Sequence, residues 1–212
     1  MFINASAENI AVAENWRRAD LEVLRAISHH PIALIGDVLQ RMGMLASAIR
    51  HVAGNTSFYG TILPVVTREG DNLAIHRALD AAQPGDVLVI NGNGEVNRAV
   101  FGDLLGEICL AKQVAAVVID GAVRDVQELQ RMGLPTYARA INPAGPSKYG
   151  PGTVGYPVAC GNVVCNPGDA ILGDLDGIIV IDKEVLATLP ARLQSQNEFE
   201  NAFRERVRST RT

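Results

Sequence analysis

The central third of the chain alternates apolar segments with amphipathic ones, and this alternation restricts the fold more than any other feature. Residues 87–90 and 114–119 are apolar runs bounded by turn residues, as expected of buried strands. Residues 103–112 and 125–132 have helical periodicity, and Gly133 ends the second helix. A turn is expected at residues 120–121. Repeated β-α-β units bring parallel strands into one sheet covered by helices, so we predict an α/β fold.

Different patterns flank this region. The N-terminal part predicts a helix over residues 7–28, a short helix over 36–42, a strand over 61–67 and a helix over 72–82. Beyond Pro135, short strands and glycine turns predominate, with strands expected over residues 137–140, 155–159, 163–165, 170–172 and 177–181. A final helix is predicted over residues 183–208. Because no linker interrupts the 212 residues, we expect one domain with a mixed sheet or two sheets.

Composition excludes several classes of function. A net charge of -4 favours neither a nucleic-acid partner nor an anionic membrane. The first residues lack the apolar core of a secretory signal, and no apolar run approaches the ~20 residues that span a bilayer. Three cysteines, none in a C-x-x-C pair, lie among apolar residues. We interpret them as reduced core thiols and expect a cytoplasmic protein.

Two acidic residues stand where predicted helices begin, and an arginine precedes one of them. Asp103 follows strand 87–90 and its glycine turn, while Arg124 and Asp125 follow strand 114–119. If the two strands are parallel neighbours, all three side chains meet at one edge of the sheet. Carboxylates suit Mg²⁺ or Mn²⁺, and a guanidinium matches the carboxylate of a 2-oxo acid. This set predicts metal-assisted enolate chemistry.

Other interpretations of these residues remain open. Asp125 with Glu128 has the spacing of a capping box, and Asp103 could be only an N-cap. The glycine turn at residues 91–94 is either a plain turn or a nest of backbone amides, and it is a poor dinucleotide fingerprint. Of the three lysines, only Lys148 lies outside polar surroundings, so a Schiff-base mechanism would need it.

The sequence also resembles a known family at these positions. The resemblance is carried by G-D-V-L-V-I-N-G-N-G, F-G-D-L-L, V-V-I-D-G-A-V-R-D-V-Q-E-L and L-P-T-Y-A-R, and it extends from about Leu34 to Ile181. These segments are similar to RraA-like proteins, and in particular to 4-hydroxy-4-methyl-2-oxoglutarate / 4-carboxy-4-hydroxy-2-oxoadipate aldolases. The family's D-x20-R-D pattern is met in full, since 20 residues separate Asp103 from Arg124.

The resemblance implies a layered α/β/β/α sandwich with mixed sheets, of the swivelling-domain type, and a role for each site residue. Asp125 would bind the divalent metal, Mg²⁺ or Mn²⁺, directly. Asp103 would orient a water on the metal that protonates the enolate carbon. Arg124 would bind the pyruvate portion and its oxyanion. The substrate carboxylate would be held at the helix start, by Gly102 and the backbone of Leu104 and Leu105.

The resemblance further implies an assembly and a reaction. The family forms trimers, often doubled to hexamers, in which the C-terminal helix reaches a neighbour's site. Glu198 or Glu200, with Glu200 preferred, would act there on the metal through water. The implied reaction is retro-aldol cleavage of a small 2-oxo acid to pyruvate, with oxaloacetate decarboxylation through the same enolate. The alternative is a non-catalytic regulator of ribonuclease E or a small-molecule-binding protein, which fits less well because both acids are retained.

Overall fold

The computed structural model describes residues 9–210. Within them the strands are β1 Ile10–Val12, β2 Arg50–Ala53, β3 Phe58–Thr67, β4 Asp86–Asn91, β5 Ala99–Phe101, β6 Ala116–Val123, β7 Thr136–Ile141, β8 Gly152–Val154, β9 Val158–Cys160, β10 Val163–Cys165, β11 Ala170–Asp174 and β12 Gly177–Ile181. The helices are α1 Leu21–Ile27, α2 Ile32–Val38, α3 Leu73–Ala81, α4 Asp103–Ala111, α5 Val126–Met132, α6 Lys183–Leu186 and α7 Leu189–Ser209.

The main sheet is mixed and has parallel strands at its centre. Its order is β1-β8-β3-β4-β6-β7-β2, and the steps β3-β4-β6-β7 are parallel. β11 and β8 pair antiparallel with different parts of the long strand β3, β12 pairs with β11, and β5 pairs parallel with β6. β9 and β10 form a separate two-stranded sheet. The carboxyl ends of β4, β5 and β6 therefore face the same edge, where the helix starts gather.

Three hydrophobic clusters separate the layers. α3, α4 and α5 cover one face of the sheet, and the β9–β10 hairpin packs on the other. Residues of β4 alternate between these clusters, Leu88 and Ile90 in one and Val87 and Val89 in the other. Successive strand side chains point to opposite faces, and both faces are buried, which explains why this segment is apolar throughout. α1, α2 and α7 pack with β11 and β12 in the third cluster. The predicted α/β sandwich with mixed sheets is confirmed.

The predicted N-terminal helix over residues 7–28 is wrong for most of its length. Residues 7–8 lie outside the described part of the chain, residues 10–12 form β1, and α1 begins only at Leu21. β1 pairs with β8, with Ile10 opposite Gly152, so a distant contact overrides the local helical pattern. Asp20 then begins the true helix, because its side chain accepts a hydrogen bond from Glu22 N at 2.8 Å.

Three further element predictions need correction. The C-terminal helix is divided into α6 and α7, because Pro190 lies in the first turn of α7 and proline is not tolerated in a helix interior. The short helix predicted over residues 36–42 is instead α2, which follows Pro31 directly. The segment predicted as strand 155–159 is interrupted, with Gly155 at φ 78° lying between β8 and β9.

The predicted turn at residues 120–121 is also wrong, because β6 continues to Val123. Asp120 is tolerated in this strand because its carboxylate pairs with Arg139 and accepts from Gly161 N at 3.1 Å. The continuation carries the chain past the register shift between Ile119 and Ala122 and up to the candidate site. All three cysteines are buried free thiols, as predicted. Among residues 9–210, no helix combines the length and apolar character that crossing a bilayer requires.

Candidate active site

The structure brings Asp103, Arg124 and Asp125 together at the carboxyl edge of the parallel strands. β4 and β6 are parallel neighbours, and the unpredicted strand β5 pairs with the end of β6, with Phe101 opposite Val123. Arg124 N donates to Phe101 O at 2.9 Å, which joins the two chain segments immediately before both helices begin. The acids are therefore neighbours because β5 leads into α4 beside the strand that leads into α5.

Asp125 is not the side-chain cap that its spacing to Glu128 suggested. Its backbone is left-handed, with φ 56° and ψ 35°, and its side chain makes no capping hydrogen bond to α5. Oδ2 lies 3.1 Å from Arg124 Nε and accepts from Asp103 N at 3.5 Å. A non-glycine residue at positive φ is strained, and such residues cluster at functional sites. The carboxylate is thus held towards the start of α4 and away from α5.

Asp103 is the first residue of α4, and Gly102 occupies the N-cap position. Asp103 Oδ1 accepts from Leu104 N at 2.7 Å. Helix geometry leaves the amides of residues 103–105 without an intrahelical acceptor, which makes this end electropositive. The amide expected to hold a substrate carboxylate at Leu104 is therefore engaged by Asp103 here, and the Leu104 side chain is exposed.

A cavity of about 210 Å³ adjoins these residues. Two groups of residues line it, one from β5, α4 and Arg124 and one from the start of α3 and the loop after β7. They are Val100, Phe101, Gly102, Asp103, Leu104, Leu105, Ile108 and Arg124 in the first, and Asn72, His76, Pro146 and Lys148 in the second. The Asp125 carboxylate lies beside the cavity, against Gly102. This volume is below the roughly 300 Å³ of typical ligand pockets, so it suits a small acid.

Two glycines leave room for the charged groups. A Cβ on Gly102 would lie 2.5 Å from Asp125 Oδ2 and 3.0 Å from Arg124 Cγ. A Cβ on Gly145 would lie 3.0 Å from Arg124 Nη1. The positions of the Arg124 and Asp125 side chains thus depend on two residues that have no side chain. Gly145 was not expected to be a site residue, because nothing in its local sequence relates it to Arg124.

Gly102→Ala should strongly reduce any activity of this site while leaving the fold intact. The added Cβ displaces the Asp125 carboxylate, whereas the extended backbone of Gly102, at φ −161°, accepts alanine without strain. A displacement of about 1 Å at reacting groups costs on the order of 10²-fold in rate. Turnover and melting temperature of the purified variant would be compared with those of wild type.

Gly121→Ala, in the neighbouring strand β6, is the matched control, since its Cβ would meet only ordinary contacts of 3.4 Å or more. Equal loss of activity in the two variants would show that the Gly102 contact has no special role.

Sequence reasoning missed His76, which was set aside for want of partners at ligand spacing. It is 7% exposed and lines the cavity. Burial, and secondarily the positive charge of Lys148, lower the pKa of His76, so its ring is neutral at pH 7. Lys148, the residue a Schiff-base mechanism would require, also lines the cavity but is exposed. It therefore lacks the desolvation that activates such an amine.

The donor set fits a hard divalent cation. The Asp125 side chain is 36% exposed beside the cavity, and Asp103 lies next to it at the start of α4. Mg²⁺ typically takes one or two carboxylates and keeps several waters. Within residues 9–210 no group of three or more His, Cys, Asp or Glu side chains is arranged to hold a metal, so a closed cage of protein ligands is not present in that range.

Glu198 and Glu200 lie away from this cavity in the same chain. Both are on α7, which packs against α1 and α2. Glu200 pairs with Arg204 at 2.6 Å, and Glu198 accepts from Gln194 at 3.1 Å. Among the residues that the structure describes, neither glutamate lines the cavity.

Comparison with known proteins identifies the family. The model of the family described as "RraA-like: Aldolase/RraA" matches residues 32–180. The chain belongs to this family. It is 34% identical over 166 residues to a protein of Halalkalibacterium halodurans named "Putative 4-hydroxy-4-methyl-2-oxoglutarate aldolase", covering 78% of this chain and 79% of that one.

Solved structures of RraA proteins share this fold. RraAS2 of Streptomyces coelicolor, described as an unusual member of the RNase ES inhibitor RraA family, superposes with a TM-score of 0.79 and 25% identity. The match covers 89% of this chain and all of that one, 100%. RraA from Thermus, described as an RNA-processing inhibitor, has a TM-score of 0.67 and 27% identity, over 72% of this chain and 93% of that one.

Proposed function

We propose that this RraA-like protein is a divalent-metal-dependent aldolase. It cleaves a branched 4-hydroxy-2-oxo dicarboxylic or tricarboxylic acid into pyruvate and a second 2-oxo acid. It also decarboxylates oxaloacetate, because loss of CO₂ leads to the same pyruvate enolate. The observation that carries the proposal is the convergence of three charged residues at the carboxyl edge of the sheet. Asp103 and Arg124 line one small cavity, and Asp125 lies beside it in contact with both.

Asp125 would hold the metal, Mg²⁺ or Mn²⁺. Three features fix the orientation of its carboxylate. They are the left-handed backbone of Asp125, the contact with Asp103 N, and the absence of a Cβ on Gly102, which leaves room for Oδ2. When bound, the metal supplies a Lewis acid that stabilises negative charge on the 2-oxo group. The strain at Asp125 is then explained as part of a preorganised site.

Arg124 binds the pyruvate half of the substrate. Its guanidinium lies between Gly145 and Asp125 and lines the cavity, where its donors can reach the 2-oxo oxygen or the carboxylate. Because negative charge grows on that oxygen as the carbon–carbon bond breaks, a fixed cation there favours the transition state over the ground state. Gly102 and the helix amides of Leu104 and Leu105 complete the contacts to the substrate carboxylate.

Asp103 moves the proton. Its carboxylate lies on the cavity wall beside the pyruvate subsite, so it can orient the water that protonates the enolate carbon after cleavage. That water, donating to Asp103 Oδ1, would compete with Leu104 N, which donates to the same oxygen at 2.7 Å here. Release of Leu104 N would in turn provide the second amide for the substrate carboxylate.

The proposal is tested by a pyruvate-release assay. The protein, freed of metal, is incubated with 4-hydroxy-4-methyl-2-oxoglutarate or oxaloacetate, and pyruvate is detected with lactate dehydrogenase. Pyruvate release should require Mg²⁺ or Mn²⁺ and stop with EDTA. Full activity after chelation would overturn the metal dependence, and no turnover of either acid with any divalent metal would overturn the aldolase.

A regulatory role is the second candidate, favoured by the relatives described as RNA-processing or RNase ES inhibitors. Inhibition of ribonuclease E by the purified protein, combined with no turnover of 2-oxo acids, would establish it.

The aldolase is proposed to work as a trimer or hexamer with sites between subunits. Phe199, Phe203 and Val207 recur every four residues on α7 and are all exposed, so among the described residues they form an apolar stripe that no other helix or strand covers. A neighbour covering this stripe would bring Glu200 or Glu198 towards a site that this chain does not complete by itself. Sedimentation velocity of the protein, with Phe203→Glu for comparison, measures the assembly directly.

A further inference from the structure

The half of the cavity away from Arg124 contains buried polar atoms that have no partner. His76 and Asn72 are 7% and 5% exposed. Among residues 9–210, both ring nitrogens of His76 and Oδ1 of Asn72 lack a hydrogen-bond partner. An unsatisfied buried polar group costs about 1–3 kcal/mol, and native proteins contain few of them. Three such atoms on the wall of one cavity indicate that a bound ligand satisfies their hydrogen bonds.

Lys148 adds a positive charge to this wall, and the fold fixes the loop that carries it. The buried carboxylate of Asp71 accepts from Ser147 Oγ at 2.7 Å, Tyr149 N at 2.7 Å and Gly150 N at 3.1 Å, on both sides of Lys148. Asp71 also accepts from Leu73 N at 3.0 Å, at the start of the helix that carries His76. One carboxylate therefore joins the two segments and holds the backbone that carries Lys148 beside the start of α3.

The unsatisfied atoms define the ligand by what they can accept and donate. A neutral imidazole donates from one nitrogen and accepts at the other, and Asn72 Oδ1 only accepts. Lys148 favours an anion. A carboxylate takes the hydrogen bond of His76 and the charge of Lys148. A hydroxyl donates to one of the two acceptors that remain, the second ring nitrogen of His76 or Asn72 Oδ1. A hydroxy acid presents both groups on one carbon.

Resting on the proposed function, we infer that His76, with Asn72 and Lys148, binds the hydroxyl and carboxylate on the fourth carbon of the substrate. This is the half that leaves as the second 2-oxo acid. His76 is then a specificity-determining residue, while Arg124 and the start of α4 bind the pyruvate half. Substrates without the fourth-carbon carboxylate leave Lys148 and one ring nitrogen unpaired and are disfavoured.

The experiment separates the two halves of the substrate. Deuterium exchange into the methyl group of pyruvate uses only the pyruvate half and is followed by NMR. Cleavage of 4-hydroxy-4-methyl-2-oxoglutarate uses both halves and the carboxylate, whereas 4-hydroxy-2-oxopentanoate lacks that carboxylate. Each probe and the melting temperature are measured for wild type and four variants. Three change the proposed subsite, His76→Leu, His76→Gln and Lys148→Met. The fourth, Lys112→Met at the far end of α4, is the control.

His76→Leu and Lys148→Met should lower the kcat/KM ratio of carboxylated to non-carboxylated substrate by roughly 10- to 100-fold, because a charge-assisted hydrogen bond is lost. Pyruvate exchange should fall much less than cleavage of the carboxylated substrate, because exchange uses only the pyruvate half. His76→Gln, which both donates and accepts, should retain more of the preference. The melting temperature of His76→Leu should hold or rise, since leucine removes two unsatisfied atoms.

Three results would overturn this inference. The first is an equal fall of pyruvate exchange and of both cleavage reactions in the His76→Leu and Lys148→Met variants. The others are a large drop in the melting temperature of His76→Leu and an unchanged substrate preference in both variants. In all three cases wild-type exchange would still support the aldolase. A wild-type protein that neither exchanges pyruvate protons nor cleaves either acid would overturn the proposed function and this inference with it.

Discussion

Arg124→Ala should abolish pyruvate release from every substrate, with a loss of at least about 10³-fold in kcat, the upper range for removing one donor to a developing oxyanion. The guanidinium lies on the cavity wall between Gly145 and Asp125, so its removal takes away the cation next to the Asp125 carboxylate. Arg124→Lys should recover little, because an ammonium lacks the planar fork that matches a carboxylate. Steady-state kinetics with coupled pyruvate detection measures both variants.

Arg131→Ala is the matched control for this prediction. Arg131 lies on the adjoining helix α5, where it forms an exposed pair with Glu128, and such pairs contribute about 0–1 kcal/mol. Its removal should change neither turnover nor stability appreciably. If Arg124→Ala retained more than a tenth of wild-type activity, Arg124 would not be the residue that stabilises the enolate oxygen.

Asp125→Asn should remove metal binding and activity together while preserving the fold. Asparagine tolerates the left-handed conformation at φ 56° that Asp125 adopts, so the backbone is not the cause of the loss. A neutral amide is a much weaker ligand for a hard cation than a carboxylate. We expect activity to fall by on the order of 10²-fold or more, the size seen when charge stabilisation at a reacting oxygen is removed.

Mn²⁺ binding followed by electron paramagnetic resonance tests this role independently of turnover. Wild type should bind Mn²⁺ and Asp125→Asn should not, whereas Asp37→Asn, in an exposed pair with Arg41, should bind it normally. Equal Mn²⁺ affinity in wild type and Asp125→Asn would place the metal elsewhere, even if the variant were inactive. Asp125→Ala is less informative, because alanine adds strain at a positive φ.

The position of the site was accessible from the sequence because it depends on regular features. The strand 87–90 and the helix from Asp103 follow from periodicity, which reflects burial of residues such as Leu88 and Leu105. Parallel strands place their carboxyl ends together, so Asp103 and Arg124 were expected to meet, and the structure brings them together. Their catalytic roles stay predictions until the variants above are measured.

The secondary-structure predictions were wrong where contacts with distant residues override the local preference for a helix or a turn. Residues 10–12 are in a strand because β8, more than a hundred residues later, offers a pairing partner. Asp120 remains within β6 because Arg139 and Gly161 satisfy its carboxylate. No window of local sequence contains these partners, and so the helix at residues 7–28 and the turn at residues 120–121 were reasonable but wrong expectations.

The D-x20-R-D spacing and the alternating strands and helices are properties of the sequence itself. They determined the α/β class, the family and the edge of the sheet where Asp103, Arg124 and Asp125 lie. Only the tertiary structure decided that Asp125 is left-handed with its carboxylate against Gly102, and that His76 joins the cavity wall. The reason is physical: periodicity and capping act over a few residues, whereas those two features depend on contacts between separate segments of the chain.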